Sequence, residues 1–246
     1  MGGLKAPFFE PLSWADRENI FSYLTLDDLQ GFSRVSRGTY FGARREVDYR
    51  VGKKVSSVGY LRCGQKRSNI LLVSYPRSGN SLLRRHIEKA TGTATGSDTR
   101  PNRTLSRALL RCGFIGEGFV DDSVFVVKSP FPERVGYVRF ACSRVILVVR
   151  NPFDAIESYF HMGFTNTHDR TLAPEAKASL MDLYADFVAK EAEVWQAFHA
   201  YWLERAKHTS VQIVRFEDLV RAPEDAEHYL QILGEFVSPC VLARGS

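Results

Sequence analysis

No stretch of this 246-residue chain approaches the roughly 18 consecutive apolar residues of a membrane-spanning helix. Cysteine is scarce: Cys63, Cys112, Cys142 and Cys240 stand far apart and form no CxxC pair. That spacing excludes the common zinc modules and a disulfide-dense scaffold, so free thiols in a reducing compartment, and no metal site, are the expectation. The leading segment Met1 to Ala6 has no apolar core, so no secretory signal peptide is read there. The chain therefore reads as cytoplasmic or nuclear. It contains no internal repeat and no low-complexity tract. What it does contain is 44% hydrophobic and 25% charged residues, the composition of a chain that buries a core.

The net charge of +5 is unevenly spread. Residues 70–111 hold eight basic and two acidic side chains, whereas residues 169–246 hold eight basic and thirteen acidic. A confined basic field beside an acidic tail suits a small anionic ligand, and no nucleic-acid partner is expected.

Four short apolar runs read as buried strands: Ile70 to Val73, Val124 to Val127, Val145 to Val149, and Val211 to Val214. Helical patterns lie between and after them, at 79–91, 153–162, 174–207 and 224–233, with Pro152 and Pro223 placed for first helical turns. Residues 92–123, rich in Gly, Thr, Ser and Asp, read as a mobile excursion. Alternating strands and helices predict an α/β domain, a parallel sheet with helices on both faces, over residues 68–246. A small helical module precedes it at 8–50.

Two segments carry chemistry. The first is a strand, a loop and a helix start: Ser74-Tyr75-Pro76-Arg77-Ser78-Gly79-Asn80-Ser81-Leu82. Such a loop aims several backbone N–H groups at one point, and the helix dipole adds positive charge there. Gly79 permits close approach, and Arg77 adds a planar cationic fork. This is an anion cradle, though not a Walker A loop, whose spacing is absent; a magnesium-dependent P-loop kinase is disfavoured accordingly. The second segment runs from Arg150 to Ser158. An arginine at the end of a buried strand needs a partner. A phosphate shared with Ser158, or an ion pair with Asp154, would each supply one.

Together these residues resemble the sulfotransferases that use 3′-phosphoadenosine 5′-phosphosulfate (PAPS). Tyr75 to Ser81 resembles their 5′-phosphosulfate loop, and Arg150 through Ser158 is similar to their 3′-phosphate motif. Val214-Arg215-Phe216-Glu217-Asp218-Leu219 resembles the segment that closes on the adenine, and Val127-Lys128-Ser129-Pro130-Phe131-Pro132 resembles the strand end with catalytic groups. The run through Ala90-Thr91-Gly92 and Thr95-Gly96-Ser97 is closest in flavour to sulfotransferases linked to WSC domains. The resemblance covers about residues 68–236. It implies a P-loop-like sulfotransferase fold, PAPS as co-substrate, no metal, and a hydroxyl or amine acceptor on a carbohydrate or small molecule. It assigns Arg77 to the bridging region of the phosphosulfate. Ser78, Gly79, Asn80, Ser81 and Leu82 would wrap the 5′-phosphate, and Arg150 and Ser158 would hold the 3′-phosphate. Lys128 would face the transferring group and Phe216 the adenine.

In this chain Pro130 stands where cytosolic members carry a histidine base. Other branches use an acid shortly after the first helix, which points to Asp98. His161, one turn past Ser158, is a second candidate base; Glu117 and His168 are further ones. The glycine-rich C-terminal segment that many cytosolic members set against the 3′-phosphate is absent. The leading segment has its own resemblance. Leu12-Ser13, Ile20 to Leu24, Asp27-Asp28-Leu29 and Ser33-Arg34-Val35-Ser36-Arg37 look like an F-box, which implies a Skp-type adaptor as partner of residues 8–50. Two readings follow: a sulfotransferase, or a non-catalytic ubiquitin-ligase adaptor whose sulfotransferase-like domain binds a ligand or partner.

Overall fold

The computed structural model of the chain describes residues 58–61, 69–134, 136, 138–221, 231 and 233–234. The module expected at 8–50 lies outside the described residues, as does nearly all of the helix expected at 224–233. The order along the chain is β1 (Asn69–Ser74), α1 (Asn80–Thr91), β2 (Gly96–Ser97), α2 (Thr104–Arg111), β3 (Val126–Ser129), β4 (Cys142–Val149), α3 (Pro152–Thr165), α4 (Pro174–Ala178), α5 (Met181–Arg205), β5 (Ser210–Arg215) and α6 (Phe216–Arg221). The five strands form one sheet in the order β2-β3-β1-β4-β5, with every pairing parallel.

The apolar run of β1 is buried along its whole length because both of its faces are covered. Successive strand side chains alternate between faces. Ile70 and Leu72 therefore pack with Leu83 and Ile87 of α1 and Leu219 of α6. Leu71 and Val73 pack with Ala155 and Ile156 of α3 and Phe198 and Trp202 of α5. This is the expected doubly covered α/β sheet. Each such fully buried aliphatic side chain contributes about 1.5–3 kcal/mol.

The chain leaves β1 toward β2 and β3 on one side, then returns to build β4 and β5 on the other. The loops after β1 and β4 thus part at the carboxyl edge of the sheet, where open parallel sheets bind ligands. Local chemistry fixes both helix starts at that edge. Gly79 takes the left-handed conformation (φ 92°) to open α1. The Asn151 side chain accepts the Phe153 amide at 2.9 Å, and Pro152 occupies the first turn of α3.

Three expectations change. The strand expected at 124–127 runs from Val126 to Ser129, which carries Lys128 and Ser129 into the ladder. The helix expected at 174–207 breaks at Ser179–Leu180, where the Ser179 hydroxyl donates to the Ala176 carbonyl at 2.8 Å and competes with helix continuation. Residues 92–123 are no mobile excursion. They hold β2, α2 and buried Thr93, Ala94, Thr95, Ser97 and Asp98. The cause is polar: Arg84 and Glu88 on α1 bind Thr95 through both its backbone and its hydroxyl, which ties the segment down.

Candidate active site

The loop between β1 and α1 is built around three anchors. The Tyr75 side chain is buried and its hydroxyl donates to Glu191 of α5 at 2.7 Å. The Asn80 amide donates to the Ser74 hydroxyl at 3.0 Å, and the Ser81 hydroxyl to Asn80 Oδ1 at 3.2 Å. Arg77 sits in the left-handed region at φ 64°, a conformation that turns the chain sharply and costs a non-glycine residue energy. The Ser78 hydroxyl is buried without a hydrogen-bond partner. The first-turn amides of the 12-residue α1 have no helical carbonyl to bond, and no side chain caps them. Leu82 turns its side chain to the core, so it can offer a ligand only its backbone.

Arg77 is the hub. Its Nε donates to Ser158 Oγ of α3 at 2.9 Å, and its Nη2 to the His168 carbonyl at 2.8 Å. Its Nη1 lies 3.3 Å from His168 Nδ1. Its own carbonyl accepts from Arg150 Nη1 at 2.7 Å. Burial, and then the neighbouring Arg150 charge, lower the Arg77 pKa from its ordinary value. Arg150 also stacks on the Phe216 ring at 4.5 Å, while its Nε is buried and unpartnered. It makes no ion pair with Asp154 among the described residues. Phe216 in turn covers Gly79: a Cβ there would lie 2.3 Å from the ring. The backbone amide of Asn151 bonds Glu217 at 2.7 Å, which latches α6 to the start of α3. Arg77, Ser78, Gly79, Arg150, Ser158 and Phe216 are thus one contiguous group.

A second group forms where β2 meets β3. Ser97 is in register with Lys128, so the next residues, Asp98 and Ser129, fall side by side. Ser129 Oγ donates to Asp98 Oδ2 at 2.5 Å, and Asp98 Oδ1 is buried without a partner. Burial raises the Asp98 pKa above the ordinary value; the Ser129 hydrogen bond and the Lys128 and Arg134 charges pull it back. Burial lowers the Lys128 pKa, opposed by the Glu117 charge. Glu117 Oε1 pairs with Arg84, and both side chains are wholly buried; its Oε2 is buried without a hydrogen-bond partner.

The two candidate histidines differ. His161 Nδ1 accepts the Leu172 amide at 3.1 Å, and its Nε2 lies 3.6 Å from Glu157. The structure does not bring its ring to the Arg77 group. His168 is the one held against Arg77. Arg134, within electrostatic reach of both Asp98 and Lys128, was missed by sequence reasoning. Its signal was only its place five residues beyond the end of β3.

Such an arrangement can hold an anion at the helix start, a second anion beside Arg150, and a flat apolar group against Phe216. A carboxylate stands a short way along the edge. A model of the sulfotransferase domain matches residues 67–231. The chain belongs to the sulfotransferase family. It is 31% identical over 159 residues to a WSCD family member of Drosophila melanogaster, covering 62% of this chain and 46% of that protein. A WSCD family member of Aedes aegypti is 28% identical over 186 residues, 73% of this chain and 53% of its own. Cytosolic sulfotransferase 15 of Arabidopsis thaliana is 27% identical over 121 residues, 49% of this chain and 33% of its own. This chain therefore spans about half the length of the WSCD relatives it matches. No solved structure matches it significantly. Among the described residues of this sulfotransferase-family chain, no helix is long and apolar enough to cross a membrane.

The residues present fit a nucleotide with two anionic ends. Ser78 Oγ and Arg150 Nε are buried polar atoms with no protein partner, set on the two loops that diverge at the sheet edge. Groups of this kind are normally satisfied, by protein or by what the protein binds.

Proposed function

We propose that this chain transfers a sulfuryl group from PAPS to a hydroxyl or amine of a carbohydrate or small-molecule acceptor. The observation that carries the reading is the Arg77 hub, which joins the helix-start loop to Ser158 and to the Arg150 carrier loop in one hydrogen-bonded unit. Amides of Gly79, Asn80, Ser81 and Leu82, with the Ser78 hydroxyl, would bind the 5′-phosphate. Arg150 and Ser158 would bind the 3′-phosphate, and Phe216 the adenine face.

PAPS supplies an activated sulfuryl group on a phosphate leaving group. Transfer of this kind is an in-line displacement in which positioning and charge stabilisation carry most of the rate, as in phosphoryl transfer. The S–O bond to phosphate breaks with its electron pair leaving on the phosphate oxygen, and the acceptor oxygen or nitrogen bonds to sulfur. Arg77 and Lys128 would neutralise charge as it builds. The proton lost by the acceptor needs a base within hydrogen-bond reach. Asp98 Oδ1 supports that role: it is the free oxygen of a buried carboxylate that Ser129 orients, just past the end of β2. Pro130 then costs the site nothing, because the base would come from the segment that follows β2.

A second reading rests on the F-box-like residues 8–50: an adaptor that binds a Skp-type protein and uses this domain for recognition alone. Calorimetric titration of the full chain with 3′-phosphoadenosine 5′-phosphate, without magnesium, tests the donor site. Micromolar binding is expected. Absence of binding overturns the donor assignment and leaves the adaptor reading in its place.

A further inference from the structure

The carboxyl group of Asp98 is enclosed more closely than its bond to Ser129 requires. Its amide donates to the Lys128 carbonyl at 3.1 Å, and the Thr99 amide to the Ser97 hydroxyl at 3.1 Å, so the backbone just past β2 is fixed. The segment that leaves β3 is anchored as well. The Arg134 amide donates to the Pro130 carbonyl at 3.2 Å, and Trp202 Nε1 of α5 to the Phe131 carbonyl at 3.2 Å. That segment comes back against Asp98 at Gly136. A Cβ on Gly136 would lie 2.0 Å from Asp98 Oδ2, 2.5 Å from its Cγ and 2.9 Å from its Cβ. Gly136 is not in the left-handed conformation, so the contact, not the backbone, calls for glycine.

The hydroxyl of Ser129 has a fixed polarity. The Phe131 amide donates to Ser129 Oγ at 3.1 Å, and an amide can only donate. The one hydroxyl proton of Ser129 is thus left for Asp98 Oδ2, 2.5 Å away. Oδ2 therefore already accepts a bond and has the glycine backbone packed on it. Oδ1 is buried and unpartnered. A proton that reaches this carboxyl settles on Oδ1. Lys128 on β3 and Arg134 in the turn favour the ionised form, as does Ser129, and burial opposes them.

Building on the PAPS reading above, in which Asp98 is the base, we propose that Ser129 and Gly136 are positioning residues that fix Oδ1 as the oxygen taking the acceptor's proton. The Phe131 amide sets the direction of the Ser129 hydroxyl, and Gly136 leaves the space that the carboxyl occupies. The acceptor atom bonds to sulfur as the S–O bond to phosphate breaks with its electron pair on the phosphate oxygen. The acceptor's proton passes to Oδ1, and Ser129 stays bonded to Oδ2 throughout. A base oriented beforehand loses no rate to reorientation.

Carbon-13 NMR of the full chain, labelled at the aspartate carboxyl carbons, tests this, with Asp98→Asn assigning the signal. Ser129→Ala removes a donor to the charged form and is expected to move the Asp98 titration midpoint up by about one pH unit. Ser129→Thr keeps the hydroxyl and is expected to leave the midpoint in place. Gly136→Ala drives the carboxyl off Ser129, so it is expected to raise the midpoint as Ser129→Ala does, and adding Ser129→Ala to it should give no further shift. Calorimetry of Ser129→Ala with 3′-phosphoadenosine 5′-phosphate is expected to show wild-type affinity. An unmoved midpoint in Ser129→Ala, or an equal shift in Ser129→Thr, overturns the role of Ser129 whether or not Gly136→Ala folds. Lost nucleotide affinity in Ser129→Ala overturns it too, by placing Ser129 in the donor site. An unmoved midpoint in Gly136→Ala, or additive shifts in the double variant, overturns the role of Gly136. A wild-type chain that does not bind the nucleotide overturns the PAPS reading and the proposal with it, whatever the midpoints.

Discussion

Arg77 Nε and Ser158 Oγ lie 2.9 Å apart, although the residues are 81 positions apart in the chain. The bond joins the two segments proposed to hold the phosphates, so neither would act alone. Arg77→Ala and Arg150→Ala are each expected to weaken 3′-phosphoadenosine 5′-phosphate binding at least tenfold, about 1.4 kcal/mol. The linkage adds a sharper test. In a double-mutant cycle, Arg77→Ala and Ser158→Ala should be non-additive by more than about 0.5 kcal/mol in binding free energy, because each removes the other's partner. Additive losses measured by calorimetry would show that the two segments bind independently.

At Gly79 a single methyl group meets two obstacles at once, a left-handed backbone and an aromatic ring. Its φ of 92° strains any L-residue, and a Cβ would lie 2.3 Å from the Phe216 ring. Gly79→Ala should therefore lower the thermal midpoint and abolish nucleotide binding. Combining it with Phe216→Ala should restore part of the midpoint, because the steric clash goes and the backbone strain stays. No recovery in the double variant would place the damage in the backbone alone.

The ion pair of Arg84 with Glu117 is wholly buried, and Arg84 has further bonds to Thr95. Removing one charge leaves the other unpaired in the interior, at a cost of about 3–5 kcal/mol. Glu117→Gln should lower the stability measured by urea unfolding by an amount in that range. Replacing both with apolar residues of similar volume, Arg84→Met with Glu117→Leu, should cost less than the single change. A loss under about 1 kcal/mol for Glu117→Gln would mean that water reaches the pair.

The central sheet was legible because β1 and β4 each carry a continuous apolar run, Ile70 to Val73 and Val145 to Val149, as strands covered on both faces do. The start of α1 was legible too, since Gly79 directly after a buried strand marks the turn that opens the helix. What sequence could not show was pairing across distance. Thr95 is held by Arg84 and Glu88 of the preceding helix, so a stretch of glycine, threonine and serine that looked irregular is rigid. Asp98 could be named as a nearby acid, but the Ser129 hydroxyl that orients it becomes visible only through the β2–β3 register. Residue order put His161 ahead of His168, whereas the left-handed turn at Asn166, which the sequence does not show, brings His168 to Arg77.

Asp98 is the residue at which stability and function should move in opposite directions. Burial holds its carboxyl above the ordinary value, against the pull of Ser129, Lys128 and Arg134. The folded pKa therefore exceeds the unfolded one, near about 3.9. A group shifted this way stabilises the fold fully below the unfolded pKa, and that contribution is lost as pH rises through the folded pKa. Asp98→Asn cannot ionise, and its side-chain oxygen can still accept from Ser129. It should melt above the wild type at pH 7, and the difference should vanish as pH falls toward the unfolded value. Turnover should run the other way. For the proposed base the ionised carboxylate would be the active form, so the wild-type rate should rise with pH through the raised pKa, while Asp98→Asn should show none and still bind 3′-phosphoadenosine 5′-phosphate. Melting curves across pH, with calorimetry and sulfate transfer on the same protein, separate the outcomes. Persistent transfer in Asp98→Asn would remove Asp98 as the base, and a lower midpoint at every pH would make the carboxylate a structural group.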